Sequence, residues 1–153
     1  MTFADFPIWR DQIIAGNEAS LAITAAEAGF AEPAKTATNL VLLHEHLTDP
    51  ELVTDLARQA LTTANPDQAL NNLERLCGTA DKTSLPIVLV DQTFSRQLLT
   101  ILGASAFLSG ILCRRPSFFA GLFQKGQIRE TKTEAQMCTE LRQRIADEAD
   151  TAA

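Results

Sequence analysis

The chain has few of the residues that staple a domain or bind a metal ion. Its three cysteines are far apart, and none lies in a CxxC pair; they are Cys77, Cys113 and Cys138. Disulfide scaffolds use even sets of cysteines, and zinc sites use closely spaced pairs. We therefore expect reduced thiols in a cytoplasmic protein. The first residues, MTFADFPIWRD, carry acids where a signal peptide needs a basic region and an apolar run, so we expect no export.

Basic residues are also scarce. The chain has 13 Lys and Arg against 19 Asp and Glu, which gives a formal net charge of −6. Because phosphate contacts depend on clustered Lys and Arg, this balance excludes a general nucleic-acid binder. The charge is uneven, however. Residues 1–91 hold 13 acids and five bases, residues 92–129 hold five bases and no acid, and residues 130–153 hold six acids and three bases.

No catalytic motif is recognisable. The tetrapeptide DEAD at residues 147–150 has no phosphate loop to work with, because the chain contains no Gly-Lys dipeptide, and no G-x-S-x-G elbow is present. In His44-Glu45-His46 the two imidazoles point about 200° apart on a helix, so they cannot bind one ion together. We expect solvated helix residues there. The sequence therefore gives no support to the hypothesis that the chain is an independent hydrolase.

Proline and glycine mark helix boundaries along the chain. All six prolines lie where a helix could begin, and five glycines suit helix ends, namely Gly16, Gly29, Gly78, Gly103 and Gly126. Thr133 and Gln136 form a capping-box pattern. No segment alternates convincingly at period two, and the apolar run 85–90 has no second strand to pair with. The sequence predicts an all-α bundle or array of about nine short helices and a longer C-terminal one, at roughly 5–15, 18–28, 33–47, 50–63, 66–77, 85–91, 92–102, 105–114, 116–124 and 133–149.

One uncharged run is nearly long enough to be a membrane-spanning helix. Residues 97–113 carry no charge, and their 17 positions approach the length that crosses a bilayer. The run contains Gln97, Thr100, Ser105 and Ser109, and Gly103-Ala104-Ser105 is typical of a helix end followed by a new cap. The better interpretation is two buried core helices that meet at Gly103, with no membrane partner.

The segment 92–129 is the most informative part of the chain. It holds five of the eight phenylalanines and many leucines, and we expect it to form the main core of a helical domain over residues 1–129, with an acidic lobe at 1–91. Residues 130–153 are then a linker and an exit helix. The alternative is that the segment presents a partly exposed basic and apolar face that docks a partner. The candidate docking residues are Arg96, Arg114, Arg115, Phe118 and Phe119.

Three stretches of sequence resemble one known family. Ala28-Gly29-Phe30-Ala31-Glu32-Pro33 with Asn39-Leu40 is similar to a GF-x-[DE]-P helix start. Residues 66–76, PDQALNNLERL, are similar to a PD-x-AL-x-NLER segment, and residues 102–108 with 112–116 are similar to a G-x-S-x-FL…R-x-P segment. In this order and spacing they resemble the N-terminal helical region of bacterial glutamine synthetase adenylyltransferase, the glutamate-ammonia-ligase adenylyltransferase and adenylyl-removing enzyme.

The resemblance implies a place in nitrogen regulation. Members attach AMP to glutamine synthetase and remove it through two nucleotidyltransferase units, each with an Asp-x-Asp pair for Mg²⁺ and ATP. Implied partners are the adjoining nucleotidyltransferase domain, glutamine synthetase and the PII signal protein. This chain has no Asp-x-Asp pair, so it carries no catalytic, cofactor or metal residue by this resemblance. Residues 140–146 resemble the helix that leads into the first such unit. The alternative is a free-standing helical interaction domain without nucleotide chemistry.

Overall fold

The computed structural model describes residues 6–79, 84–115, 133, 135–139 and 142. The chain divides into two compact units, Met1–Phe119 and Ala120–Ala153. The described part of the first unit contains helices and no strand, which confirms the predicted all-α class. Its helices are α1 (Phe6–Ile14), α2 (Glu18–Ala28), α3 (Pro33–Leu47), α4 (Pro50–Ala60), α5 (Pro66–Thr79), α6 (Ser84–Leu89), α7 (Gln92–Ala104) and α8 (Ala106–Arg114).

Little of the second unit is described. Residues 135–139 are helical, and the capping box at their start is present: Thr133 N donates to Gln136 Oε1 at 2.8 Å, and Gln136 N lies 3.4 Å from Thr133 Oγ1. The predicted helix at 116–124 and the predicted boundary at 129 and 130 lie outside the described residues, as does most of the predicted helix at 133–149.

Local side-chain caps explain why the helices begin where the sequence predicts. Asp49 Oδ1 accepts hydrogen bonds from the Glu51 and Leu52 amides at 3.0 and 3.2 Å, directly before Pro50 opens α4. Asn65 Oδ1 accepts one from Gln68 N at 3.0 Å beside Pro66. Each cap satisfies amide groups that have no partner within the helix, while the proline at the first position has no N–H to satisfy.

The observed helix ends agree less well than the helix starts with the predictions made from the sequence. Gly16 and Gly29 adopt left-handed backbone, with φ of 61° and 107°, as the prediction requires. Gly78 and Gly103, in contrast, lie inside α5 and α7, so their prediction as helix ends was wrong. α3 ends at Leu47 without a glycine, and its cap residue Thr48 adopts the left-handed conformation with a φ of 59°.

The core lies between α3, α5 and α7 and extends to the helices beside them. α3 packs against α2, α4 and α5, and α7 packs against α4 and α5. Fully buried leucines come from all of these central helices, including Leu40, Leu43, Leu56, Leu70, Leu73, Leu98, Leu99 and Leu102. Each such side chain contributes about 1.5–3 kcal/mol on burial. Among the described residues, α3 to α5 bury more apolar side chains than residues 92–115 do. Residues 116–129 lie outside the described part, so the expectation that 92–129 forms the main core is not confirmed.

Candidate functional site

The candidate docking residues are partly described. Arg96 is exposed on α7, Arg114 is the exposed last residue of α8, and Arg115 is exposed where α8 ends. The other two candidates, Phe118 and Phe119, lie outside the described residues. The site can therefore be followed from the α7–α8 junction to the end of α8.

The junction between α7 and α8 is a sharp corner. The two helix axes are bent by 118°. Ser105 makes the corner because its amide donates to Ile101 O at the end of α7, while its hydroxyl accepts from Leu108 N at 3.2 Å and caps α8. A Cβ on Gly103 would lie 2.9 Å from Thr63 Oγ1 and 3.0 Å from Asn65 O. Gly103 thus permits the close approach of the α4–α5 loop and does not end a helix.

α8 has one buried and one exposed face. Ser109, Leu112 and Cys113 point inward and are buried, where α8 packs against α5 and α7. On the opposite side Phe107 is 72% exposed and Leu108 is 46% exposed. Half-buried Ile111 and exposed Arg114 follow Phe107 at i+4 and i+7, so these residues share one surface. We call Phe107, Leu108, Ile111 and Arg114 the outer face of α8.

One carboxylate joins the first two segments that carry the family resemblance. Asp67, at the start of α5, accepts hydrogen bonds from the Ala31 and Glu32 amides, both at 2.9 Å, and from Thr36 Oγ1 at 3.1 Å. These groups open α3, whose own N-cap residue, Glu32, makes no side-chain cap bond. Asp67 therefore caps α3 from another helix, and its negative charge suits the positive end of the α3 dipole.

One carbonyl joins the second and third segments. Leu102 O, near the end of α7, accepts from Asn72 Nδ2 at 2.9 Å, from Gln68 Nε2 at 3.4 Å and from Ser109 Oγ at 3.3 Å. Cys113 Sγ lies 3.8 Å from Asn72 O in the same region. A carbonyl near a helix end lacks its full set of helical partners, and these side chains supply them. The polar residues of the three segments thus hold helices together.

The histidine pair does not behave as predicted. His44 and His46 are partly buried rather than solvated, and His46 lies where α3 packs against α5. His46 Nε2 lies 3.6 Å from Glu74 Oε1 on α5, and His44 Nδ1 is buried without a hydrogen-bond partner among the described atoms. Over the described ranges, no group of three His, Cys, Asp or Glu side chains could hold a metal ion.

The thiols differ in their surroundings. Cys77 and Cys113 are buried and Cys138 is exposed; all three are free. Burial, with smaller contributions from Glu74 and Cys113, raises the pKa of the Cys77 thiol to about 12. Burial also raises the pKa of Cys113. Since the thiolate is the reactive form, the two buried thiols are poor nucleophiles near neutral pH.

The uncharged run at residues 97–113 forms two helices. In the part of the chain that the structure describes, no single helix is long and apolar enough to cross a membrane. The pair α7 and α8 passes that test only when the two are taken together across their bend.

Comparisons with known proteins identify no relative of this chain. No family model, no curated protein and no solved structure matches the chain.

Proposed function

We propose that this chain is a non-catalytic helical region of a cytoplasmic glutamine synthetase adenylyltransferase, and that it acts by docking. The observation that supports this most is the meeting of the three family-like segments. Asp67 joins the first segment to the second, and Leu102 O joins the second to the third. Segments that carry one resemblance and also bond to one another fit a single inherited helical framework better than three unrelated coincidences.

The polar residues of these segments have structural partners. The Asp67 carboxylate is occupied by two amides and a hydroxyl, and the Asn72 amide is occupied by Leu102 O. Neither group is arranged for chemistry on a substrate. The Mg²⁺ and ATP that the family uses find no matching residues here, because the sequence contains no Asp-x-Asp pair. Catalysis therefore belongs to nucleotidyltransferase units outside this chain.

Docking is assigned to the surface around α8. Arg114 and Arg115 are exposed at the end of α8 and Arg96 is exposed on α7, and the sequence from 92 to 129 contains five bases and no acid. In this proposal they position the adjoining nucleotidyltransferase domain or receive an acidic surface of glutamine synthetase or of the PII signal protein.

The DNA downstream of codon 153 tests the assignment. A reading frame that continues for several hundred codons and encodes two Asp-x-Asp units is expected. A stop codon after Ala153 contradicts it.

A free-standing helical interaction domain is the second candidate. The exposure of Phe107 and its neighbour Leu108 on α8 favours it, because apolar side chains that form a patch in solvent can serve as a contact surface. This candidate predicts the stop codon, together with partner binding that needs no nucleotide.

A further inference from the structure

The outer face of α8 fits one kind of partner. We propose that it binds an acidic amphipathic helix of a partner protein, with Phe107 in the apolar stripe of that helix and Arg114 against its carboxylates. The proposal names the chemistry of the docked partner, and it rests on the proposed function only in the premise that the chain works by docking.

The apolar side chains of the outer face are exposed because of how α8 leaves α7. Inside the protein, large side chains on α7 such as Leu98 and Leu99 are fully buried. Phe107 comes only three residues after α7 ends, yet the corner at Ser105 turns it outward, and Leu108 lies beside it. Two neighbouring exposed apolar side chains on one helix turn form an anchor that a partner's groove or stripe can cover.

The charge of the outer face comes from Arg114. Its Nε donates to Gly110 O at 3.0 Å, which holds the guanidinium along the helix beside the apolar residues. Among the described residues it forms no ion pair. α7 and α8 together contain arginines and no acidic residue. Carboxylates that flank an apolar stripe are the complement of this arrangement, because a guanidinium binds a carboxylate through paired N–H donors.

Other occupants suit the face less well. A second copy that used the same face would offer no carboxylate to Arg114, because α7 and α8 contain no acidic residue. Nucleic acid requires many phosphate contacts, whereas α7 and α8 carry only two arginines, Arg96 and Arg114. A membrane surface favours a longer helix with a continuous apolar face, but α8 has nine residues and its inner side is already packed.

The test uses the full chain and a synthetic helical probe. The probe is a labelled peptide of about 18 residues, long enough to be helical, with leucines along one face and glutamates beside them. Two matched probes replace the glutamates by lysines or the leucines by glutamines. Fluorescence anisotropy measures the affinity of each for the wild type, for F107S, for R114E and for I23S. The last is the control, because Ile23 is a 64% exposed apolar residue on α2.

The proposal predicts that the acidic peptide binds and that both matched probes bind at least about tenfold more weakly. F107S and R114E are expected to weaken the acidic peptide by a similar factor, and added salt should weaken it further, whereas I23S leaves it unchanged. The substituted side chains are exposed, so unchanged far-UV circular dichroism is expected for all variants.

Three results overturn the proposal: no binding of the acidic peptide, equal binding of the lysine peptide, or equal loss in I23S. Binding through Phe107 to anionic phosphatidylserine vesicles or to a single-stranded oligonucleotide, without binding of the peptide, also overturns it. A stop codon after Ala153 contradicts the proposed function but leaves this result intact, so the two failures are distinguishable.

Discussion

Among the acids that the structure describes, we expect alanine to destabilise the fold most when it replaces Asp67. The substitution removes three hydrogen bonds at once and leaves the Ala31 and Glu32 amides at the start of α3 without a cap. Hydrogen bonds to a charged acceptor are worth about 1.5–3 kcal/mol each when buried. Because these bonds are partly exposed and not additive, we expect a total loss of about 2–4 kcal/mol.

The free energy of unfolding of Asp67→Asn should lie between those of the wild type and of Asp67→Ala. The remaining amide oxygen can still accept from Glu32 N and Thr36 Oγ1, but the new NH₂ group faces the Ala31 amide, and two donors repel. Asp55→Ala is the matched control, because among the described residues Asp55 pairs with Arg58 on the surface of its own helix, and such pairs contribute about 0.3–0.5 kcal/mol.

Urea unfolding provides the assay. The single tryptophan, Trp9, lies 6.2 Å from the Phe30 ring, next to the capped segment, and its fluorescence therefore reports that region. Circular dichroism reports the helices as a whole. We expect the urea midpoint to fall by about 1–2 M in Asp67→Ala and by much less in the control. Equal midpoints for the two alanine variants would refute the remote cap.

Other predictions concern glycines and thiols. Gly103→Ala should cost about 1–3 kcal/mol, because its Cβ meets Thr63 Oγ1 at 2.9 Å; Gly78→Ala, whose Cβ meets only ordinary contacts, should stabilise by up to about 1 kcal/mol. Thermal melts compare the two, and a loss in both or in neither contradicts the packing argument. With Ellman's reagent at pH 8, Cys138 should react fast and the two buried thiols slowly; three fast thiols would refute their burial. Because the pKa of Cys77 rises from 9.0 to about 12 on folding, the unfolded chain loses this proton first, so stability falls as pH rises through that window. Cys77→Ala should flatten that fall, and no tyrosine titrates there to obscure it.

Helix starts could be predicted from the sequence because their causes are local. An Asp or Asn before a proline caps and starts a helix within three residues, and α4 and α5 begin as that rule predicts. The cap of α3 could not be predicted, since Asp67 lies 35 residues beyond Glu32. The role of Gly103 could not be predicted from the sequence for the same reason. Whether a glycine ends a helix or admits a neighbouring loop depends on a contact that only the folded chain reveals.

The candidate site was predicted in part. The absence of acids from 92 to 129 pointed to this region, and the structure exposes three of its arginines there. Exposure of Phe107 could not be read from the sequence, because periodicity does not show which side of a short helix packs. The cap at Ser105 fixes where α8 begins, but the packing of α8 against α5 and α7 decides which residues face outward.

The rate of AMP transfer to glutamine synthetase tests the central claim most directly. Under the proposed function the protein encoded by the complete reading frame has this activity, and it is compared with its double variant R114E/R115E and with R10E, a charge reversal at an exposed residue on α1 that pairs with Glu51. We predict slower adenylylation or altered regulation in the double variant only, with circular dichroism showing that the variant remains folded. Adenylylation and de-adenylylation rates that match the wild type in the double variant would contradict it.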